Sequence, residues 1–339
     1  MKRILLLLLA CFPSVFMLAQ VPETYWVPDN VGQFNITLFA QLSLAGDVPN
    51  SQESPVANYE LGVFDQDGKC CGVAYPPTWK NVRQRWVYSL AIQGETGSTY
   101  TFKIYDHATG QELPMACSED VDHYEFNVVE DASSPNYGDG CTYGYTYNPD
   151  TLHFMPAQMI ALSVGWNWIS TYIHLNEVDG IRMLEAALGD YATEIQTFGE
   201  SAEYFGDGEW AGLEDYEWTN AEMVMVYVLE DCTITLAGPT VVDPSTVEIE
   251  INPGWNWIGF PVNTETDIDV ALSDFEPVEG DIIATSTLES DYIGEWLDLE
   301  SLAPGQGYMY YSSSEDIKTL VFSVSTRIAK LVPSKVLVP

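Results

Sequence analysis

The stretch GWNWI stands at Gly165–Ile169 and again at Gly254–Ile258. The sequence around the two copies also agrees, with IALSVGWNWIS matching IEINPGWNWIG. A GEW at Gly208–Trp210 matches one at Gly294–Trp296, and VMV at Val224–Val226 matches YMY at Tyr308–Tyr310. The second copy has slightly shorter loops. Between GWNWI and GEW, the first copy carries VDGIRMLEAALGD, with apolar residues at helical spacing, and the second the shorter DIDVALSDF. Each copy therefore reads as strand, short helix, then several strands, over 157–242 and 246–323. In an extended GWNWI, Trp166 and Trp168 share one face, while Asn167 and Ile169 share the other. A small unit needs large apolar side chains to close a core. Trp166, Trp168 and Trp210, with Trp255, Trp257 and Trp296, are thus the expected core residues. The alternative is an aromatic binding platform. A shared ligand site, however, would repeat a larger polar set than Asn167/Asn256 and Glu209/Glu295.

Upstream, over 20–154, short alternating runs such as YELGVF, WVYSLAIQG and HYEFNVV are separated by DQDGK, GETGS and HATGQ. β-Branched and aromatic runs bounded by turn residues read as antiparallel strands. No helical periodicity of useful length occurs there, and the segment predicts a β-sandwich. The fold class expected for the whole chain is mainly β: an N-terminal antiparallel sandwich, then two small β-rich units, each with a short helix.

Lys2 and Arg3 followed by ILLLLLA, with small residues near Ala19, describe a secretory signal peptide over 1–19. The alternative is a lipoprotein signal, since Leu8-Leu9-Ala10-Cys11 reads as a lipobox. No later run has the ~20 apolar residues that span a membrane. The chain carries 12 Lys+Arg against 50 Asp+Glu, a formal net charge of −38. Such a surface repels phosphate backbones and disfavours nucleic acid and anionic membranes as partners. With 46% hydrophobic and 13% aromatic residues, it is nevertheless a folding composition and not a disordered acidic tail. A short basic tail occupies 324–339.

Apart from Cys11, the cysteines are Cys70, Cys71, Cys117, Cys141 and Cys232. An oxidising compartment permits disulfides, but an odd number leaves one thiol over. Cys70, Cys71, Cys117 and Cys141 are the candidates, with the connectivity open. Neither a zinc-ligand spacing nor a nucleophile signature surrounds them or His107, His123, His153 and His174. No cofactor or metal is expected. Asp65-Gln66-Asp67-Gly68 resembles part of a calcium loop without its full spacing, so a hairpin turn is expected there, with weak calcium binding by the acidic surface left open. Carboxylate pairs of the glycosidase type have no specificity among 50 acids.

One local anomaly stands out, PTWKNVRQRW at Pro77–Trp86. Lys80, Arg83 and Arg85 sit together between Trp79 and Trp86, in a chain with few other cations. Aromatic faces stack on sugars and Arg forks take carboxylates, so these five residues are the candidate ligand site. Pairing of the cations with the protein's own carboxylates is the competing reading.

ELGVFDQDGKCCGVA and TFKIYDHATGQEL together resemble a β-domain of secreted and surface proteins from anaerobic Gram-negative bacteria. The matching positions are Cys70, Gly72, Val73 and Ala74, then Phe102, Tyr105, Asp106, Thr109 and Gly110; Cys71 stands where that family often has Arg. The two later units resemble the GWN-aromatic repeats of similar surface proteins, and Pro304-Gly305-Gln306-Gly307-Tyr308 fits their closing stretch. TNAEMVMV in the first unit departs from it. The resemblance implies architecture and no catalytic residues. The resulting expectation is a secreted or cell-surface, non-catalytic adhesion or binding protein with an extracellular glycan or protein ligand. A structural spacer of an envelope assembly, or a hydrolase, are the alternatives.

Overall fold

The computed structural model describes residues 23–29, 34–94, 100–117, 142–175 and 179–323. The expected signal, His123, Cys141, the HYEFNVV run and the basic tail lie outside the described residues. The chain is mainly β. Its first part contains β1 (Phe34–Leu44), β2 (Tyr59–Phe64), β3 (Cys70–Ala74), β4 (Thr78–Lys80), β5 (Arg85–Gly94), β6 (Thr101–Asp106), β7 (Gln111–Glu112), β8 (Met115–Cys117), β9 (Thr142–Tyr143) and β10 (Asp150–Leu162). The next contains β11 (Gly165–Ile169), α1 (Gly180–Leu188), β12 (Ala192–Gln196), β13 (Ser201–Gly206), β14 (Glu209–Ala211), β15 (Val224–Val228) and β16 (Cys232–Ala237). The last contains β17 (Ile249–Ile251), β18 (Gly254–Ile258), β19 (Thr266–Asp267), α2 (Ile268–Ala271), β20 (Ile282–Ala284), β21 (Glu289–Asp291), β22 (Ser301–Leu302), β23 (Tyr308–Ser312) and β24 (Lys318–Leu320).

In the first part, β3-β2-β6-β7 form one antiparallel sheet, and β10-β1-β5-β4 run through a second. Alternate residues of β1, Ile36, Leu38, Ala40 and Leu42, are buried, as period-two patterning requires of a half-covered strand. They share one core with Leu61 and Val63 of β2, Phe102 and Ile104 of β6, and Tyr88, Leu90 and Ile92 of β5. Gly72 of β3 explains part of the CCGVA stretch. A Cβ there would lie 2.7 Å from the carbonyl oxygen of Ala91, so the strand can approach β5 only with glycine at this point.

The expected break between 154 and 157 falls inside a continuous strand. The start of β10 pairs in parallel with β1, through Leu44↔Phe154, and its end pairs antiparallel with β16 through Ile160↔Ile234. Phe154 belongs to the first core, whereas Ile160 and Leu162 belong to the second.

Beyond β10, the two GWNWI units share a four-strand order, which β14 extends by a fifth strand in the first unit. Sheet order is β11-β15-β12-β13-β14 in one and β18-β23-β20-β21 in the other. Trp166 and Trp168 sit opposite Tyr227 and Met225; Trp255 and Trp257 sit opposite Tyr311 and Met309. The Asp179 carboxylate accepts from the Arg182 amide at the start of α1, which buries Ile181, Leu184 and Leu188 on its inner face. In the second unit α2 is a single turn capped by Asp267.

The tryptophan assignment is corrected here. The alternation of GWNWI is as expected, but the faces are inverted. Ile169 and Ile258 are fully buried, while Trp166 and Trp255 are 40% and 39% exposed. Trp168 and Trp257 are half-buried. Trp210 and Trp296 are also half-buried, and these two do pack against their units' cores. The asparagine explains the inversion. Asn167 accepts from the Ser163 amide at 2.9 Å and donates to the carbonyls of Ser163 and Gly165 at 2.7 and 3.0 Å. Asn256 repeats the pattern with Asn252 and Gly254 and donates further to Tyr310 O. Gly165 and Gly254 hold φ of +99° and +87°, which only glycine adopts without strain. The shared word is thus a turn lock: glycine makes the corner, asparagine closes it from inside, and the indoles are left outside.

The units also touch each other reciprocally. The Ser170 amide donates to Gly305 O at 3.0 Å, and the Gly259 amide donates to Ala221 O at 2.9 Å. Ser170 and Gly259 occupy the same place after GWNWI, and Ala221 and Gly305 the same place before β15 and β23. The contact is therefore self-complementary, as in a two-fold dimer, but within one chain. Ser170 Oγ completes it by donating to Gln306 O at 2.6 Å and accepting from the Phe260 amide at 3.1 Å.

Candidate functional site

The basic residues form the β4–β5 hairpin, at one edge of the larger sheet. Thr78, Trp79 and Lys80 pair with Val87, Trp86 and Arg85, and residues 81–84 make the turn. The Arg83 amide donates to Lys80 O, and Gln84 takes φ +53° with its side chain on Asn81 O. Trp79 and Trp86 are cross-strand neighbours, ring centroids 5.4 Å apart and tilted by 57°. Their N–H groups are used locally, by Asn81 Oδ1 at 2.7 Å and Ser51 O at 3.0 Å.

Alternation divides the five candidates. Trp79 and Trp86 share the face that continues into buried Tyr88 and Leu90, and Trp86 packs on that core. Lys80 and Arg85 form a pair on the opposite face, and Arg83 is exposed in the turn. A single surface uniting indoles and cations is not formed: the indoles brace the hairpin, Arg83 is exposed, and Lys80 and Arg85 are half-buried. Among the described residues, none of Lys80, Arg83 and Arg85 has an ion pair. Lys69, Lys103 and Arg182 do, with Asp67, Glu112 and Glu185.

The other motif residues of this domain serve its fold. Buried Glu60 accepts from the amides of Tyr25 and Trp26 at 2.8 and 2.9 Å and meets His107 Nε2 at 2.8 Å. Tyr25 stacks on Tyr105 at 3.8 Å, and Tyr75 on His107 at 4.0 Å. Sequence reading missed this buried carboxylate; its only signal was an acid heading an apolar strand. Asp106 accepts from the Ala108 amide and from Thr109 Oγ1, closing the turn at Gly110. Asp65 accepts from the amides of Asp67 and Lys69, so the calcium-like stretch is a hairpin turn.

The disulfide expectation for Cys70 and Cys71 is corrected. Both are buried free thiols. The register slips between Val63 and Phe64, so Cys71 is the extra residue of a bulge and strict alternation fails there. Burial pushes both thiols up, Cys71 to about 11 with the Asp65 charge adding to it, which removes them as thiolate nucleophiles. Cys232 is likewise a free thiol, raised by burial and then by Glu230. Cys117 lies on β8 opposite Phe154.

Two clefts flank the first GWNWI unit. One of about 420 Å³ runs between β6, β8 and β10 and is mostly apolar, with Phe102, Met115 and Met159 among its walls. The other, of about 470 Å³, gathers Asp179, Glu214, Asp215 and Glu217 near the start of α1. Among the described residues, no group of His, Cys, Asp and Glu has the arrangement of a metal centre, and no helix is long and apolar enough to cross a membrane. Comparison of the chain with protein-family models, with curated proteins and with solved structures returns no match.

Proposed function

We propose that this chain is a non-catalytic binding protein of the cell surface or extracellular space, and that its β4–β5 hairpin captures an acidic glycan. The observation that carries this reading is the hairpin's three cations, Lys80, Arg83 and Arg85, without carboxylate partners among the described residues of a chain of net charge −38. A protein with so many acids neutralises isolated cations readily. Holding three of them apart, on a hairpin braced by paired indoles, suits recognition of an external anion. The signal-like N-terminus and the resemblance to bacterial surface domains support the location. Raised thiols and a Glu60 carboxylate saturated by hydrogen bonds support binding over catalysis.

The test is an array of sulfated, uronic-acid and neutral glycans, probed with the wild-type chain and with Arg83→Gln/Arg85→Gln. Binding confined to acidic glycans, lost in the variant and weakened by salt, is the expected result. Binding that persists in the variant overturns the hairpin assignment, and binding only to acidic proteins replaces the ligand class.

A second reading, a rigid spacer in an envelope assembly, is favoured by the strand shared between the first two cores and by the reciprocal contact between the last two units. It is preferred if no ligand is found and surface assembly fails when Ser170 is replaced.

A further inference from the structure

The internal symmetry exposes a difference between the two units. In the first, Thr197 closes a tight loop with Glu200: its amide donates to Glu200 O, and the Glu200 amide donates back to its hydroxyl at 3.1 Å. In the second, Thr285 does the same with Leu288, at 2.8 and 3.0 Å. Phe198 and Ser286 therefore occupy the same loop position. Phe198 sets its ring edge-on against Trp257 of the other unit, centroids 5.8 Å apart at 78°. Ser286, facing Trp168 of the other unit, has no ring to offer. A slot of about 390 Å³ is left there, walled by Trp168, Trp255, Met309, Ser286, Thr287 and Glu289. Trp168 and Ser286 also border an adjoining cleft of about 340 Å³ reaching Ala303–Gln306.

We propose that this slot binds a ring of a neutral oligosaccharide, at a site separate from the basic hairpin and independent of it. The first unit shows that a six-membered ring fits against an indole at this place, because the chain puts its own Phe198 there. The open slot offers two indoles as apolar walls, one of them the 39%-exposed Trp255. It also offers the hydroxyls of Ser286 and Thr287, which have no hydrogen-bond partner among the described residues and can serve sugar hydroxyls as donor or acceptor. The volume falls within the ~300–1,000 Å³ of small-ligand sites. The charge selects the class. Among the described residues the slot's only charged wall is the Glu289 carboxylate, with no cation to balance a uronate or sulfate, so an uncharged sugar fits and an acidic one is repelled. The adjoining cleft gives the glycan chain a path beyond the first ring.

The experiment titrates maltohexaose, cellohexaose, xylohexaose and mannohexaose into the full chain, followed by calorimetry and tryptophan fluorescence. Binding of at least one is expected, weakened roughly tenfold or more by Trp255→Ala, equivalent to about 1.4 kcal/mol. Ser286→Phe should abolish it by filling the slot as Phe198 fills its counterpart. Phe198→Ser should open the counterpart and add a second equivalent of bound sugar. Arg83→Gln/Arg85→Gln should leave this binding unchanged, which separates it from the hairpin reading. No binding of any of the four at millimolar concentration, or undiminished binding in a folded Ser286→Phe protein, overturns the proposal.

Discussion

At the scale of single residues, the asparagine of GWNWI matters more to stability than either tryptophan beside it. Asn256 satisfies a backbone amide and three carbonyls, one of them on buried Tyr310. Removing it leaves those groups unpaired, at ~1–3 kcal/mol for a buried group. Trp255 gives up only part of the ~3–5 kcal/mol of a fully buried aromatic. In urea titrations, Asn256→Ala is therefore expected to lower the midpoint more than Trp255→Ala, and the reverse order would restore the tryptophans to the core. The period of this strand was legible in the sequence, but its inside was not. Both faces carry apolar residues, and the decision rests on where Asn167 finds its partners, four residues back in a turn. Asp281 makes a second test. Burial alone would push its carboxyl up, but Tyr310 OH at 2.6 Å, the Val278 and Ser313 amides and Ser313 Oγ hold it below its ordinary value of 3.8. A depressed native value contributes stability that is complete well above pH 3.8 and is lost as pH falls below it toward the native value. The stability gap between wild type and Asp281→Asn should accordingly be constant near neutrality and narrow below about pH 4. A gap that widens in acid contradicts the hydrogen-bond assignment.

At the scale of elements, β10 joins what the sequence divides. Pro156 lies inside this strand, although proline lacks the ladder donor and is tolerated only at edges and irregularities. Here its carbonyl still accepts from the Gly238 amide, and the next amide, of Ala157, donates to Pro114 O. The strand continues because the pairing partners change at this point, from β1 to β16, and that change is tertiary. The same reasoning covers Cys71, whose place inside the core follows from a register slip that no local pattern announces. Where elements stay within one unit, as with α1 and the GWNWI strands, the element order was readable from period and turn residues. A shared strand has a measurable consequence. Phe154→Ala opens the first core at ~3–5 kcal/mol. Hydrogen exchange should then show lost protection at the amides of Thr233–Leu236 on β16, although these residues lie in the second core's sheet. Unchanged protection there would mean that the two cores open independently.

At the scale of the whole molecule, charge sets two opposing responses to salt. The formal net charge of −38 is spread over a surface with few ion pairs among the described residues, so the folded chain is compressed against its own repulsion. The unfolded chain spreads the same charge over a larger volume and feels it less. Screening should therefore favour the folded form, as the Debye length falls from about 30 Å at 0.01 M to about 8 Å at 0.15 M. The hairpin obeys the opposite sign: Lys80, Arg83 and Arg85 attract an acidic ligand, and screening weakens that attraction. Sodium chloride added over this range should raise the melting temperature while it lowers affinity for the acidic glycan. Neutral-sugar binding at the Trp255 slot should change little, since no opposite charges meet there. Calorimetric melting and glycan titration on the same samples check all three signs at once. A melting temperature that falls with salt would mean that attraction, and not self-repulsion, dominates the folded surface. An acidic-glycan affinity indifferent to salt would remove the cations from the binding contact.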